Sequence, residues 1–259
     1  MPEGDTVYQT ARRLNAALGG SVLTGCDIRV PAFATVDLTG ETVHEVVSRG
    51  KHLLMHVGGF TIHSHLKMEG TWRLYHHGER WTRPAFEARI VLQTADRQAV
   101  GFALGELDVV ARDCEVDLVG HLGPDLLGPD WNEAEAIRRL AQHPEQAIAV
   151  ALLDQRNLAG LGNVYVNELC FLRGMLPTRP VAEVDLPAAV ALARRLITAN
   201  RDRPERTTTG ELRRGRRTWV YGRAGESCRR CGTRIQQMRL GRTELEQRDT
   251  FFCPHCQPN

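Results

Sequence analysis

Two short cysteine pairs near the C-terminus constrain this chain more tightly than any other stretch: Cys228-x2-Cys231, twenty-one residues, then Cys253-x2-Cys256. Each pair forms a knuckle that offers two thiolates, and two knuckles complete the tetrahedral sulfur shell that a structural zinc ion takes. The alternative, two disulfides, does not suit a chain read as cytoplasmic. His255 lies between two of the cysteines and is read as a non-ligand. Four thiolates close the coordination shell, so the ion folds the module and leaves chemistry to other residues. Cys26, Cys114 and Cys170 show no pairing logic and read as small buried hydrophobes.

What the finger presents is positive charge. The net charge of the whole chain is only +2, but sixteen Arg and six Asp or Glu fall between Arg194 and Arg248. That end carries an electrostatic footprint for a polyanion. Arg229, Arg230, Arg234, Arg239, Arg242 and Arg248 make a basic hairpin suited to phosphate, with a merely solvated face as the alternative. Lys51 and Lys67 are the only lysines. No apolar run reaches the eighteen or so residues that span a bilayer, and no signal pattern opens the chain; a cytoplasmic protein without a membrane partner is expected.

At 259 residues and 42% hydrophobic, the chain can bury one large or two modest cores. Val7, Ala11, Leu14 and Leu18 repeat along one helical face, behind Asp5 as a cap and ahead of Gly19-Gly20. From about residue 21 to 111 the pattern turns to short β-rich runs at 22–30, 42–47, 52–57, 60–65, 71–75, 86–93, 99–104 and 107–111, which suggests a sandwich or barrel. A Gly- and Pro-rich stretch over 120–131 reads as a linker. Helical patterns follow at 132–142, at 144–154 with Pro144 in first position, at 163–173 closed by Gly174, and at 186–200 behind Asp185. The expected class is α+β, with domains at 1–119, 132–220 and 221–259.

Three stretches carry candidate chemistry. Removing Met1 leaves Pro2 with a free secondary amine, and the iminium it forms with an aldehyde-level carbon cannot neutralise itself by losing a proton from nitrogen. An α-amino group titrates near pH ~8, against about 10.4 for lysine, so more of it is unprotonated at neutral pH. The adjacent Glu3 is a proton shuttle within reach of that chemistry. Read alone, the same residues are also an ordinary translation start. Gly160-Leu-Gly162-Asn163 runs into a helix; it is either a phosphate-binding turn or plain helical-hairpin architecture. Arg49-Gly50-Lys51-His52 is a charged hairpin tip that offers a point charge to a phosphate, or only to water.

These pieces occur together in one family. Through Pro2-Glu3-Gly4, Arg49-Gly50-Lys51, His65-Leu66-Lys67-Met68-Glu69-Gly70, Gly160-Leu161-Gly162-Asn163 and Gln247 to Cys253, the chain resembles the Fpg/Nei family of bifunctional DNA glycosylases over essentially its whole length. The resemblance implies an N-terminal helix plus β-sandwich, then a helix-two-turn-helix domain with a C-terminal zinc finger. It implies Pro2 as nucleophile, Glu3 as proton-transfer residue, and Lys51, Asn163 and Arg248 as phosphate-binding residues. Met68 matches a residue that fills the hole left by a flipped base.

The implied activity is base-excision repair: removal of an oxidised base, then β,δ-elimination through a Pro2 Schiff base. The competing reading is a non-catalytic, zinc-dependent binder of abasic or gapped DNA. The purine-oxidation branch adds an Arg and a Phe from a second loop, but Phe102 to Val110 contains no such motif, and the interval before the finger is short, with Thr207-Thr208-Thr209-Gly210 the one candidate lid. The sequence therefore resembles the Nei, or endonuclease VIII, side, which prefers oxidised pyrimidines. Loss of two void-filling side chains implies activity on single-stranded or bubble DNA besides duplex. A nucleoid-associated monomer completes the expectation.

Overall fold

A computed structural model describes residues 2–258. The chain divides into two compact units, residues 1–121 and 122–259.

The first unit begins with α1 (Gly4–Leu18), whose buried stripe is Val7, Ala11, Leu14 and Leu18. The helix starts earlier than its sequence suggests: Glu3 occupies the cap position and its carbonyl accepts from Thr6 and Val7, while Asp5 lies inside the first turn and takes the N–H of Thr6 at 2.7 Å. Eight strands follow: β1 (Gly25–Ile28), β2 (Val43–Arg49), β3 (His52–Val57), β4 (Phe60–His65), β5 (Thr71–Tyr75), β6 (Ala88–Gln93), β7 (Gln98–Phe102) and β8 (Glu106–Ala111). They form two four-stranded antiparallel sheets, in the orders β2-β3-β4-β8 and β1-β6-β7-β5. Helix α1 packs against β2 and β3, and the Asn15 side chain ties it there by accepting the N–H of Val46 at 2.8 Å.

Period-two alternation decides what the first sheet does. Leu53, Met55, Val57, Ile62, Leu107 and Val109 point into the core. The register pairs His52 with His65, His63 with Asp108 and His65 with Glu106, which puts the imidazoles and carboxylates together on the opposite face. On that face Glu115, the first residue of a short helix, α2 (Glu115–Val119), accepts from His56 Nε2 and the Thr61 hydroxyl, each at 2.7 Å.

The second unit contains α3 (Glu133–Leu140), α4 (Ile148–Leu153), α5 (Asn163–Leu172), α6 (Leu186–Asn200) and the finger strands β9 (Gln236–Leu240) and β10 (Arg248–Phe252). Asn132 and Asp185 cap α3 and α6 through their side chains. Helix α4 begins four residues later than Pro144 suggests, because Ile148 and Ala149 give their N–H groups to the carbonyls of Arg179 and Pro177. Residues 122–126 are buried in this unit and do not form an exposed tether. Every residue of α5 from Asn163 to Phe171 is buried, so it is the central helix around which the unit is built. Among the described residues no helix is long and apolar enough to cross a membrane.

Candidate active site and nucleic-acid interface

The sequence-predicted residues fall on both units. In the first, Pro2 is half-buried and Glu3 is fully buried, immediately before the N-terminus of α1. Met1, whose removal the expected Pro2 chemistry requires, lies outside the described residues. Lys51 is half-buried at the β2–β3 turn, which closes through Gly50 at φ +58°. Met68 is 66% exposed on a tight turn between β4 and β5. That turn holds its shape through Lys67 at φ +50°, a bond from its N–H to His65 Nδ1 at 3.0 Å, and Gly70, whose N–H reaches the Leu66 carbonyl at 2.9 Å. A Cβ at Gly70 would sit 2.5 Å from that same oxygen, which excludes a side chain there.

At the position where the resemblance implies a second void-filling loop, the structure has only a short turn. Strand β7 ends at Phe102 and β8 starts at Glu106, leaving only Ala103, Leu104 and Gly105 to turn the chain. Ala103 takes φ +46°, Leu104 is buried, and a side chain at Gly105 would collide with Lys67. A three-residue turn has no room to present an Arg and a Phe.

In the second unit, Asn163 opens α5 and donates through Nδ2 to the Asp249 carbonyl at 2.8 Å. Its own carbonyl and Oδ1 accept from Asn167 Nδ2 at 2.6 and 3.0 Å, and Asn167 Oδ1 in turn accepts the N–H of Phe251. The glycine turn, α5 and β10 are thus joined by a continuous set of hydrogen bonds, and Arg248 stands exposed on β10, one residue from the carbonyl that Asn163 holds. Gly160 takes φ +111° in the turn, a conformation that favours glycine.

The four finger cysteines fit a zinc ion. Their Sγ atoms all lie within 4.8 Å of one another, with Cys231 and Cys253 at 3.5 Å and Cys228 and Cys256 at 4.0 Å. Zn–S bonds of about 2.3 Å put the edges of a sulfur tetrahedron near ~3.8 Å. His255 is outside the cluster. The second knuckle is fastened to the chain beyond α5, since Gln257 accepts the Cys253 N–H at 2.9 Å and donates to the Met175 carbonyl at 2.8 Å. Cys228, Cys231, Cys253 and Cys256 are therefore the ligands of a structural Zn²⁺. Of the remaining cysteines Cys170 is buried, as expected, whereas Cys26 is half-buried and Cys114 is exposed ahead of α2.

The basic hairpin is less uniform than its sequence. Arg242 is committed to Glu246 at 2.7 Å, Arg229 donates to the Thr218 carbonyl at 3.1 Å, and Arg230 lies 4.5 Å over the Phe171 ring. Arg234, Arg239 and Arg248 are exposed and form no ion pair among the described residues. The Thr207–Gly210 stretch is tied down and is not a loose lid. Thr207 is buried and exchanges hydrogen bonds with Asn200, and Thr208 Oγ1 donates to Glu168.

Sequence reasoning missed Glu168. It is fully buried in α5 and accepts the backbone N–H groups of Trp219, Val220 and Tyr221 at 2.7, 2.9 and 2.9 Å. Burial pushes its carboxyl pKa up, and the Thr208 hydroxyl and the three N–H groups oppose that rise. A charged residue inside an otherwise apolar helical stretch was the available signal.

Comparisons with known proteins agree with this geometry. Family models match in order along the chain: the formamidopyrimidine-DNA glycosylase N-terminal domain over residues 1–103, its H2TH domain over 122–200, and a zinc finger found in FPG and IleRS over 225–259. A solved complex of Lactococcus lactis Fpg with DNA containing an abasic site superposes with a TM-score of 0.82 at 25% identity, covering 100% of both chains. Those matches define an Fpg-type fold with its zinc finger. The DNA-(apurinic or apyrimidinic site) lyase Nei2 of Mycolicibacterium smegmatis is 56% identical over 99% of each chain. The probable endonuclease 8 2 of Streptomyces coelicolor is 54% identical, over 99% of this chain and 94% of that one. The chain belongs to the Fpg/Nei family of DNA glycosylases and abasic-site lyases, on its Nei side.

Glu168→Ala is expected to leave the N–H groups of Trp219, Val220 and Tyr221 without their carboxylate partner and to lower stability by about 3 kcal/mol, with Glu168→Gln losing less. Urea unfolding of the zinc-loaded protein measures both; an alanine variant as stable as the parent would show that Glu168 does not anchor the 207–221 segment.

Proposed function

We propose that the chain excises oxidised bases, preferentially pyrimidines, from damaged DNA and cleaves the resulting abasic site by β,δ-elimination through a Schiff base on Pro2. The observation that carries this reading is the N-terminus: a proline set directly before a helix, beside a fully buried glutamate. The positive end of the α1 dipole disfavours an ammonium at Pro2 and so enriches the nucleophilic free amine. The names and bound DNA of the relatives support the substrate class.

The chemistry then runs as follows. The damaged nucleotide is flipped out of the stack, at a cost of a few kcal/mol. The Pro2 nitrogen bonds to C1′, the bond from C1′ to the base breaks, and the base leaves with a proton delivered by Glu3. The Pro2 nitrogen then loses its proton, the C1′–O4′ bond breaks as O4′ takes up a proton, and the opened sugar is held as an iminium. This acidifies the C2′ hydrogen; loss of that proton expels the 3′-phosphate, and a second elimination expels the 5′-phosphate. Water releases the sugar remnant from Pro2, leaving a one-nucleotide gap with phosphate at both ends. Lys51, Asn163 and Arg248 hold phosphates around the lesion. The Arg248 reading is supported by its exposure and by the absence of an ion-pair partner among the described residues. Asn163 is buried and gives one Nδ2 proton to the Asp249 carbonyl, so only its second Nδ2 proton is left for a phosphate.

Met68 enters the hole left by the flipped base. It has no Arg or Phe companion from the three-residue β7–β8 turn, so single-stranded and bubble DNA, which leave less of a hole to fill, are substrates as well as duplex. The protein acts as a monomer in the cytoplasm, at the nucleoid.

Borohydride added to protein lacking Met1 together with abasic-site DNA should trap a covalent adduct on duplex, single-stranded and bubble substrates, and protein retaining Met1 should give none. Absence of adduct from the Met1-free protein favours a non-catalytic binder of abasic DNA, and adduct on duplex alone contradicts the substrate range. Arg248→Ala should weaken DNA binding by about 1.5–3 kcal/mol and lower the salt dependence by about one phosphate's worth. Titrations at two salt concentrations measure both; an unchanged affinity and slope would remove Arg248 from the interface.

A further inference from the structure

The outward face of the β2-β3-β4-β8 sheet carries a group of side chains that the glycosylase reading does not use. His52 Nδ1 and His63 Nε2 face each other at 2.8 Å, and a Glu106 carboxylate oxygen lies within 4.8 Å of both. His63 is 3% exposed, and its other nitrogen, Nδ1, meets Asp108 Oδ2 at 2.9 Å. The His65 and His121 rings stand edge-on to His52, with centroids 5.0 and 6.2 Å away. Lys67 pairs with Glu106 through one carboxylate oxygen, Oε1.

The geometry points to a second metal site, in which His52 Nδ1, His63 Nε2 and Glu106 bind one divalent ion of the Zn²⁺, Co²⁺ or Ni²⁺ type. Two imidazoles and one carboxylate suit these borderline ions and not Mg²⁺ or Ca²⁺, which take all-oxygen shells. The two nitrogens are already close to the spacing required, since ligands about 2.1 Å from one ion stand about 3.0–3.4 Å apart. Asp108 acts on His63 as a carboxylate does behind a ligating histidine: it takes the Nδ1 proton, so the lone pair is on Nε2 and aims at His52. At present the His52 Nδ1 proton fills the space between the rings. An ion takes its place, with His52 moving its proton to Nε2 and Glu106 using the oxygen that Lys67 leaves open. This site is independent of the finger, which has its own four thiolates, and of the Pro2 chemistry.

The test uses the full chain with zinc already in the finger, titrated with Co²⁺ by calorimetry and absorption spectroscopy. One further equivalent should bind, giving weak ligand-field bands without the thiolate charge-transfer band that marks cobalt in a cysteine site. His52→Ala and His63→Ala should each abolish that equivalent, and Asp108→Asn should weaken it about 10–100-fold by releasing the His63 tautomer. His143→Ala, distant in sequence and on the other unit, should bind as the parent does. Finger zinc content checks that each variant is folded; should His63→Ala fail to fold, half-buried His52 decides the matter alone. No second equivalent, or one that survives His52→Ala, would overturn the site.

Discussion

The second unit depends on a helix that is buried on every side and yet carries polar groups at Asn163, Asn167 and Glu168. Each buried amide or carboxylate has to find partners or destabilise the fold by a kcal/mol or more, and each finds them on chain that comes later in sequence. Asn163 and Asn167 bind the backbone of β10, and Glu168 binds the segment leading into the finger. The zinc finger is consequently an extension of the α5 core and not an independent bead. Zinc closes its far end, the hydrogen bonds of α5 close its near end, and Arg248 stands between them.

The first unit solves a different problem with the same economy. One face of its β2-β3-β4-β8 sheet buries aliphatic side chains against the other sheet and α1, and the opposite face gathers histidines and carboxylates that satisfy one another. Burial, with Lys67 and the neighbouring histidines adding to it, keeps His65 at about 4 and His52 at about 3, so these two imidazoles are neutral at pH 7. The turns at the sheet ends carry Lys51 and Met68, while the apolar side holds α1 and with it Glu3.

Much of this was legible in the sequence where a local signal and the tertiary packing agree. Strands β3, β4 and β5 and helix α6 begin and end where alternation, turn residues and the Asp185 cap put them. The cysteine spacing gave the zinc cluster, because two knuckles can meet around only one ion. Signals failed where distant chain overrode local chemistry. Pro144 is a good helix start, but backbone donors at Ile148 and Ala149 are claimed by the 177–180 segment. Finger arginines read as uniform positive charge, yet Arg242, Arg229 and Arg230 are spent on a carboxylate, a carbonyl and a ring. Glu168 and the His52–His63 pair depend on contacts across many residues, and only their odd placement among apolar neighbours marked them.

The proposed chemistry converges on one nitrogen. Of all amines on the chain, the α-amine of Pro2 and the ε-amines of Lys51 and Lys67 are the candidates for a Schiff base, and only the first is secondary and sits before a helix N-terminus. Peptide mapping by mass spectrometry of a borohydride-fixed complex with abasic DNA distinguishes them directly. The account predicts the sugar remnant on the N-terminal peptide, attached at Pro2. A remnant on the peptide containing Lys51 or Lys67 would contradict it.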